Sequence, residues 1–417
     1  MTKSYHEPKV ALVYDRANTA YGGAERLLKA LAKKFHPVDL FTTVVGQVGW
    51  LKEFDQVNPS FINRLPFAKT HHQFYEPLAP LAFESFNLDA YDVIISVSSG
   101  QSKAILTKPH QLHLNYLLTP PRYIYQYQDA YQGKQPSFKD EALKLLSAPA
   151  RAYLKWFDQT SIFRPDIIVP LSQVVRRRAL TVYPQVKIEA PIYPFALDLT
   201  KKLKKAQTNY PHLTATLKKI KFNLSVSRLV KYKRVDLSIK ASLKLNQPLI
   251  VVGEGVEFAH LVQLAGNQGA VFYPQPDSAN TSSLHQWFET QIKKGKLVFF
   301  LGKVDDLSLS LLYHLAQVVI APGVEDFGLV PLEAAFFLTP SIIHQASGVA
   351  EVLTEAVKLK HQSVAELATQ LKTQAYKQLN RQKIKSIAAR QTQKSYLKKI
   401  SALVYDRWQA QKVSYKV

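Results

Sequence analysis

The sequence contains no cysteine and only one methionine among its 417 residues. Without thiols, the chain cannot form disulfides, ligate zinc or iron–sulfur clusters through sulfur, or use a cysteine nucleophile. It also lacks any apolar run of 18 or more residues, so it predicts no helix that spans a bilayer. The polar residues 1–8 do not resemble a signal peptide. Together these absences favour a reducing compartment, and we expect a cytoplasmic protein.

Acidic residues are scarce: 31 Asp and Glu stand against 54 Lys and Arg, which gives a formal net charge of +23. Such a charge attracts anions, namely nucleotides, nucleic acid or the anionic face of a membrane. The basic residues are dense at 201–221 and from 371 to the end of the chain. Both stretches are also compatible with ordinary solvated helix faces, so charge alone does not choose among these partners.

Length and composition predict more than one globular domain. With 47% hydrophobic and 20% charged residues the chain is globular, and 417 residues exceed one ordinary core. A buried strand at 9–14, a loop with Gly22 and Gly23, and an amphipathic helix form the opening unit of a doubly wound α/β domain. A second series of such units begins with apolar strands at 222–227 and 248–252.

The boundary between the two series is predicted at the proline-containing segment 191–194, because prolines end elements and stiffen linkers. We therefore expect an N-terminal Rossmann-like domain at 1–191 and a C-terminal one at 192–390, facing a central cleft. The segment 391–417 has apolar residues on one helical stripe and lysines on the rest. We expect it to form a basic helix that returns to the N-terminal domain.

The most informative segment for chemistry is 321–335, which follows a buried strand and leads into an apolar helix. Gly328 allows the backbone to approach a ligand closely, and unpaired N–H groups at the start of a helix suit an anion such as a diphosphate. Glu325 and Glu333 lie eight residues apart on either side of this turn. Carboxylates accept hydrogen bonds from the paired hydroxyls of a sugar or a ribose.

A second segment, 227–236, follows the first strand of the second series. Its Arg228 and Lys233 lie at the carboxyl end of that strand, where open α/β sheets bind ligands. Arginine can hold phosphate oxygens in a bidentate manner, and lysine adds a point charge. A generic basic loop would have the same composition. The prediction of phosphate binding is therefore favoured mainly because the Glu325 segment is also present.

The motifs of the chain resemble those of family 4 glycosyltransferases, a retaining, sugar-nucleotide-dependent group with the GT-B fold. The signature is a pair of glutamates separated by seven residues, here Glu325 and Glu333 within EDFGLVPLEA. It is accompanied by GGAER at 22–26, SRLVKYKRVD at 227–236, VVGEG at 251–255 and SGVAE at 347–351. With TPPRY at 119–123, the pattern looks closest to mannosyl- and rhamnosyltransferase-like enzymes of O-antigen and exopolysaccharide assembly.

The resemblance implies roles for individual residues in the donor domain. Arg228 and Lys233 would neutralise the donor diphosphate and stabilise the leaving group as its charge grows. Glu325 would hold hydroxyls of the donor sugar, and Glu333 the ribose. The remaining donor contacts implied by the family pattern are the backbone of Phe327, Gly328 and Leu329, the loop at Gly253, and Val304 near the nucleotide base.

In the N-terminal domain, the resemblance implies that Gly22 and Gly23 lie against the diphosphate. It implies no metal and no cofactor, because arginine, lysine and helix N-termini do the charge work. The sequence also departs from the family pattern. Leu118 replaces a histidine expected near the reacting sugar, Gln126 replaces an aspartate, and Gly100 stands where another histidine is common. The turn 337–340 lacks the glycine that the family usually has there.

Three hypotheses follow. The first is a retaining glycosyltransferase that moves a hexose from a nucleotide-diphosphate sugar to a lipid-linked or glycan acceptor, peripherally bound at the cytoplasmic membrane face. The second is a catalytically silent GT-B protein that binds a nucleotide or glycan as a scaffold, which Leu118 and Gln126 motivate. The third, nucleic-acid binding, rests on charge alone, because no recognised nucleic-acid module accompanies the lysines.

Overall fold

The computed structural model describes residues 7–18, 22–125, 148–272 and 280–414. The chain forms two compact units: residues 1–194 together with 393–417, and residues 195–392. Each unit has its own parallel sheet, so each is an independent α/β layer structure. No described helix has both the length and the apolar character that a membrane span requires.

The first unit contains, within its described residues, a six-stranded sheet in the order β3-β2-β1-β4-β5-β6, with every pairing parallel. The central strands are fully buried, as expected for a parallel sheet covered by helices on both faces. The strands are β1 (Val10–Tyr14), β2 (Val38–Thr42), β3 (Val57–Pro59), β4 (Val93–Ser98), β5 (Leu112–Leu117) and β6 (Ile167–Pro170).

The helices of the first unit connect these strands and end with a segment from the far end of the chain. They are α1 (Gly23–Lys34), α2 (Ala79–Glu84), α3 (Arg122–Tyr125), α4 (Ala148–Ser161), α5 (Gln173–Val182) and α15 (Gln393–Ser414). Helix α15 packs against β5 and α1. It does so through Tyr396, Ile400, Val404 and Trp408, which are spaced four residues apart and buried. Short 3-10 helices lie at Gly49–Glu53, Phe61–Arg64, His72–Leu78 and Ser102–Ala104.

The second unit contains, in the part that is described, a seven-stranded parallel sheet in the order β13-β12-β11-β7-β8-β10-β9. Its strands are β7 (Asn223–Val226), β8 (Leu249–Val252), β9 (Gly269–Val271), β10 (Val298–Phe300), β11 (Val319–Ala321), β12 (Ser341–His344) and β13 (Val357–Leu359). Strand β7 lies in the middle of this order. Its carboxyl end therefore neighbours those of β8 and β11.

The helices of the second unit cover both faces of this sheet. They are α6 (Thr200–Asn209), α7 (Pro211–Ile220), α8 (Val235–Leu245), α9 (Phe258–Ala265), α10 (Asn280–Lys293), α11 (Asp306–Leu315), α12 (Val330–Phe336), α13 (Val364–Lys372) and α14 (Arg381–Arg390). One apolar core cluster joins the strands to α8, α9 and α13. The expectation of an α/β protein with two Rossmann-like domains is confirmed.

Candidate functional site

The loop after β7 carries the two basic residues that the sequence singled out. Buried Leu229 and Val235 hold its two ends in the core. Between them, a 3-10 turn at Lys231–Lys233 leads into α8. Arg228 is exposed, and its Nη2 donates to the Tyr232 hydroxyl at 3.4 Å. The loop therefore presents Arg228 at the carboxyl end of the central strand of the second sheet.

Glycines allow the loop after β8 to lie directly on the loop after β7. A Cβ on Gly253, whose φ is +130°, would be 1.8 Å from the carbonyl oxygen of Ser227, so no side chain fits there. Gly255 has the same relation to Leu229, with a distance of 2.3 Å to its oxygen. Leu229 N–H also donates to the Glu254 carbonyl at 2.8 Å. The two loops form one rigid backbone layer.

The loop after β11 joins this layer through Gly323. A Cβ at Gly323 would be 2.4 Å from the Tyr232 carbonyl oxygen, so this loop too approaches the first one backbone to backbone. Ser347 fixes its conformation: the Ser347 hydroxyl donates to the Gly323 carbonyl at 2.9 Å and accepts from the Glu325 N–H at 3.1 Å. Gly328 has φ +96°, a conformation that favours glycine.

These close approaches bring together two residues that are 92 positions apart in the sequence. The Lys233 ammonium forms an ion pair with Glu325 Oε2, and the two side chains are 15% and 16% exposed. The sequence predicted a phosphate ligand in Lys233 and a sugar-hydroxyl ligand in Glu325. The structure places both at one point, where each is the partner of the other.

The second glutamate of the signature, Glu333, is packed against a neighbouring helix. It lies in the first turn of α12 and is only 3% exposed. Its Oε2 accepts a hydrogen bond from the buried Tyr313 hydroxyl at 2.8 Å. The sequence could not indicate this partner, because Tyr313 lies on another helix, α11. Phe327 is also buried, and its carbonyl accepts from the Val349 N–H at 2.7 Å.

The remaining donor-side residue, Val304, is half-buried in the loop that follows β10. That loop touches the glycine layer directly, because Gly253 N–H donates to the Gly302 carbonyl at 2.8 Å. The structure therefore gathers Arg228, Lys233, Glu325, Gly253 and the Val304 loop at neighbouring strand ends. In the described residues of the chain, no group of three or more His, Asp or Glu could hold a metal ion.

In the first unit, Gly22 and Gly23 open α1 at the carboxyl end of β1. The Gly22 N–H donates to Glu25 Oε2 at 2.9 Å, which closes the first turn of the helix. Glu25 is buried, and its other oxygen accepts from the Tyr14 hydroxyl at 2.8 Å. The glycine loop is thus fixed to the end of β1 by a buried carboxylate.

The same strand end carries a polar cluster that the sequence analysis missed. Asp15 follows β1 directly and accepts from the Ser99 N–H at 2.7 Å and the Ser102 N–H at 2.9 Å. Gly100 leaves room for this carboxylate, since a Cβ there would be 3.0 Å from Asp15 Oδ1. The signal that could have revealed Asp15 is its place immediately after the first strand.

Next to Asp15, Arg16 forms a pair with Glu76, an acid with a raised pKa. Glu76 Oε1 is 3.9 Å from Arg16 Nη1. Burial nevertheless raises the pKa of Glu76 to about 7, with nearby Arg16 opposing the shift and Asp15 adding to it. Burial lowers the pKa of neighbouring His72 to about 4, and the Arg16 charge acts in the same direction. This cluster combines a carboxyl group that titrates near neutrality with a neutral imidazole.

Beneath this cluster is a buried charge network. The Lys103 ammonium pairs with Asp158, and both side chains are fully buried. The other Asp158 oxygen accepts from the hydroxyls of Tyr125 at 2.8 Å and Tyr183 at 2.6 Å. Burial, followed by the Asp158 charge, raises the pKa of Tyr183. The network ties α3, α4 and the end of α5 to the 3-10 turn after β4.

The departures from the family pattern also have defined places. Leu118 is half-buried just after β5, where its N–H donates to the Ser98 carbonyl at 2.8 Å. Gln126 lies outside the described residues. In the turn without glycine, Leu338 itself takes the left-handed conformation, with φ +65°. Its carbonyl accepts from Arg381 at 2.8 Å, which helps to hold this strained residue.

Residues 214–391 match the family model described as "Glycosyl transferases group 1". This segment is most of the second unit and contains the ends of β7, β8 and β11. It includes Arg228, Lys233 and both glutamates of the signature. The comparison with curated proteins gave no match.

Solved structures with two such units resemble nearly the whole chain. Sucrose-phosphate synthase from Thermosynechococcus elongatus has a TM-score of 0.64 at 15% identity, covering 97% of this chain and 100% of that one. Anabaena HepE in complex with UDP-glucose has a TM-score of 0.58 at 15% identity, covering 95% and 99%. WaaG, a glycosyltransferase involved in lipopolysaccharide biosynthesis, has a TM-score of 0.56 at 16% identity, covering 94% and 99%. At these identities the likeness shows the fold, which is that of GT-B glycosyltransferases.

Proposed function

We propose that this protein is a retaining glycosyltransferase that moves a hexose from a nucleotide-diphosphate sugar to a lipid-linked or glycan acceptor. The observation that carries the proposal is the Lys233–Glu325 pair, with Arg228 beside it on the same loop. These three groups lie at the carboxyl ends of parallel strands, on backbone fixed by glycine contacts. They also lie inside the segment that matches group 1 glycosyl transferases.

The donor is held by charge at one end and by hydroxyl recognition at the other. Arg228 and Lys233 bind the diphosphate, and Glu325 accepts hydrogen bonds from the hexose hydroxyls. The two cations stabilise the charge that grows on the diphosphate as the glycosidic bond breaks. They take the role that a divalent cation has in other transferases, so the proposed reaction needs no metal and no cofactor. The UDP-glucose bound to HepE supports a donor of this class.

Donor binding replaces the ion pair between Lys233 and Glu325. The diphosphate gives Lys233 a new anionic partner, and the sugar hydroxyls give Glu325 new donors. Both groups are therefore held in position before the donor arrives, which lowers the cost of ordering them. Retention of anomeric configuration follows if the departing phosphate takes the acceptor proton on the same face, so no separate protein base is required.

The acceptor side is proposed from surface charge and from one relative. Exposed lysines on α6 and α7, within residues 201–221, suit a peripheral position at the anionic cytoplasmic face of a membrane. WaaG acts in lipopolysaccharide biosynthesis, which supports a lipid-linked or glycan acceptor. The finer likeness to mannosyl- and rhamnosyltransferases in polysaccharide assembly is part of this proposal. The proposal also gives further residues the roles that the family pattern implies. These are the donor loops at Phe327–Leu329, Gly253 and Val304, the ribose ligand Glu333, and Gly22 and Gly23.

A thermal-shift screen with UDP, GDP, ADP, dTDP and their common sugar conjugates tests the donor site. A ligand at 100 times its dissociation constant stabilises the native state by about 2.7 kcal/mol. For a unit of this size that is a rise of about 5 to 10 °C in melting temperature. The rise should be selective for one base and should disappear in Arg228→Ala. In Glu325→Ala, the additional rise that a sugar conjugate gives over its free nucleotide should disappear. Lys231→Ala removes an exposed cation from the same loop and should leave the rise unchanged.

A catalytically silent GT-B scaffold is the second candidate, favoured by Leu118 at the position of the expected histidine. It predicts the same thermal shifts but no turnover. Donor hydrolysis or transfer with any sugar nucleotide, lost in Glu325→Ala, would remove this candidate. Nucleotide binding that Arg228→Ala leaves intact would contradict the site itself.

A further inference from the structure

The first unit exposes a group of large apolar side chains that no part of the donor site uses. Twelve large hydrophobic side chains are exposed in the described part of the chain, and nine of them lie between residues 61 and 163. We define the aromatic surface by six of these nine, which are Phe67, Phe74, Leu81, Tyr153, Trp156 and Phe163. Apolar patches of this kind on a water-soluble unit mark interaction sites.

These six residues lie on elements that pack against one another. The 3-10 helix His72–Leu78 contacts both α2 and α4. Arg164, directly after Phe163, pairs with Glu84 at the end of α2 and donates to the Ala104 carbonyl. The elements that carry Phe74, Leu81, Tyr153 and Trp156 therefore adjoin one another in the unit.

The exposure is high, and at one position it coincides with backbone strain. Phe67, Phe74 and Trp156 are 78%, 75% and 60% exposed. Phe67 has φ +55°, a left-handed conformation that is rare for an aromatic residue. Its ring contacts His71, which in turn stacks on Phe74 with ring centroids 6.1 Å apart. The segment thus presents its rings outward at a conformational cost.

The charges on the same elements are positive toward solvent. Arg64, Lys69 and Lys155 are exposed on the segments 61–84 and 148–164. The acidic side chains of these two segments are each compensated: Asp158 is buried against Lys103, Glu84 pairs with Arg164, and Glu76 faces Arg16 with its pKa raised to about 7. Exposed aromatic rings beside exposed cations are complementary to the headgroup region of an anionic membrane.

We propose that the aromatic surface inserts into the interface of an anionic lipid bilayer and anchors the first unit there. This inference rests on the peripheral position in the proposed function and gives it a surface. Aromatic rings take the interfacial layer between headgroups and acyl chains, and the cations contact the lipid phosphates. Contact through the aromatic surface is less sensitive to salt than attraction between exposed charges.

Trp156 is a built-in reporter for this contact. All four tryptophans lie in described residues: Trp50 and Trp408 are 5% and 4% exposed, and Trp287 is half-buried. Trp156 is therefore the most exposed of the four tryptophans and the one that lies on the aromatic surface. Full-length protein would be titrated with phosphatidylcholine vesicles that contain 30% phosphatidylglycerol, with and without brominated acyl chains. We expect a blue shift and quenching of the Trp156 emission, both absent in Trp156→Phe.

The double variant Phe67→Asn/Phe74→Ser removes two rings from the aromatic surface and keeps the reporter. Its partition coefficient should fall about tenfold or more, because the two most exposed rings of the surface are lost. Val256→Ser and Ile292→Ser, which remove exposed apolar groups from the second unit, should leave partitioning unchanged. Circular dichroism and the nucleotide thermal shift verify that each variant is folded.

Three results would overturn the proposal. The first is sedimentation of the protein with vesicles without quenching of Trp156, which would assign binding to lysine electrostatics alone. The second is equal partitioning of the double variant and the parent. A concentration-dependent blue shift without lipid, with a dimer in sedimentation, would assign the surface to a second copy of the chain. None of these results affects the nucleotide thermal shift, so failure of the anchor and failure of the proposed function are distinguishable.

Discussion

Gly323→Ala should disable the donor site while leaving the fold largely intact. The added Cβ would lie 2.4 Å from the Tyr232 carbonyl oxygen and 2.8 Å from Lys233 Cα, where ordinary contacts begin at 3.4 Å. The loop after β11 must therefore move away from the loop after β7 by about 1 Å. Glu325 is on the loop after β11 and Lys233 is on the loop after β7. The movement therefore separates the ion pair at the centre of the site.

The expected magnitudes follow from this displacement. Overpacking of a tight contact costs about 1 to 3 kcal/mol of unfolding free energy, which lowers the melting temperature of such a unit by about 2 to 12 °C. A misplacement of about 1 Å in a site costs about 100-fold in catalytic rate. We therefore expect a moderate loss of stability and a large loss of function: about 100-fold in transfer and at least about tenfold in nucleotide affinity.

Gly295→Ala is the matched control in the same unit. Gly295 has φ +70° but no atom within 4 Å of its hypothetical Cβ, so alanine meets strain without a clash. The strain alone costs about 1 to 2 kcal/mol, close to the cost at Gly323, but no loop of the site moves. Both variants would be compared by calorimetry, nucleotide thermal shift and transfer assay. If Gly323→Ala bound nucleotide and turned over within threefold of Gly295→Ala, the argument from backbone contact would be refuted.

Two further predictions concern the first unit. Asp158→Asn leaves the buried Lys103 ammonium without its counter-ion, so we expect chemical denaturation to show a loss of about 3 to 5 kcal/mol in unfolding free energy. The double variant Lys103→Met/Asp158→Leu should restore part of this loss. A loss below about 1 kcal/mol in Asp158→Asn would contradict the buried pair. The pKa of Glu76 is about 7 in the folded state, whereas its ordinary pKa of 4.5 applies in the unfolded chain. The folded state therefore binds more protons in this window, and the Glu76 contribution to stability falls as pH rises from about 4.5 to 7. The unfolding free energy of Glu76→Gln, measured with urea and compared with that of the parent, should rise by about 1 to 3 kcal/mol between pH 5 and pH 8. Parallel pH profiles of the two proteins would contradict the raised pKa of Glu76.

The sequence predicted the architecture because the relevant signals are local. Apolar strands followed by glycine loops and amphipathic helices recur within a few tens of residues, and this alternation specifies parallel α/β units. The candidate donor residues were also visible locally. Arg228 comes directly after one strand and Glu325 shortly after another, and in such sheets ligands bind at the carboxyl ends. Their proposed roles still await the thermal-shift screen.

Partners and burial were not visible in the sequence. Glu333 carries the same carboxylate as Glu325, yet it is buried under the Tyr313 hydroxyl while Glu325 faces Lys233. Asp158 looks like one more acid on a helix, but it lies in a fully buried network. Each difference depends on which distant segment packs against the residue, and a one-dimensional pattern does not contain that information.

The sequence by itself therefore determined the succession of strands, loops and helices, the cationic character and the loops that end at the candidate site. Tertiary structure alone decided that Lys233 meets Glu325, that glycine contacts fix the loops around them, and that aromatic side chains between residues 61 and 163 remain exposed together. The physical reason is the distance along the chain over which each kind of interaction acts. Periodicity and turn chemistry act over a few residues, whereas ion pairing, desolvation and exposure are set by contacts between segments that are tens to hundreds of residues apart.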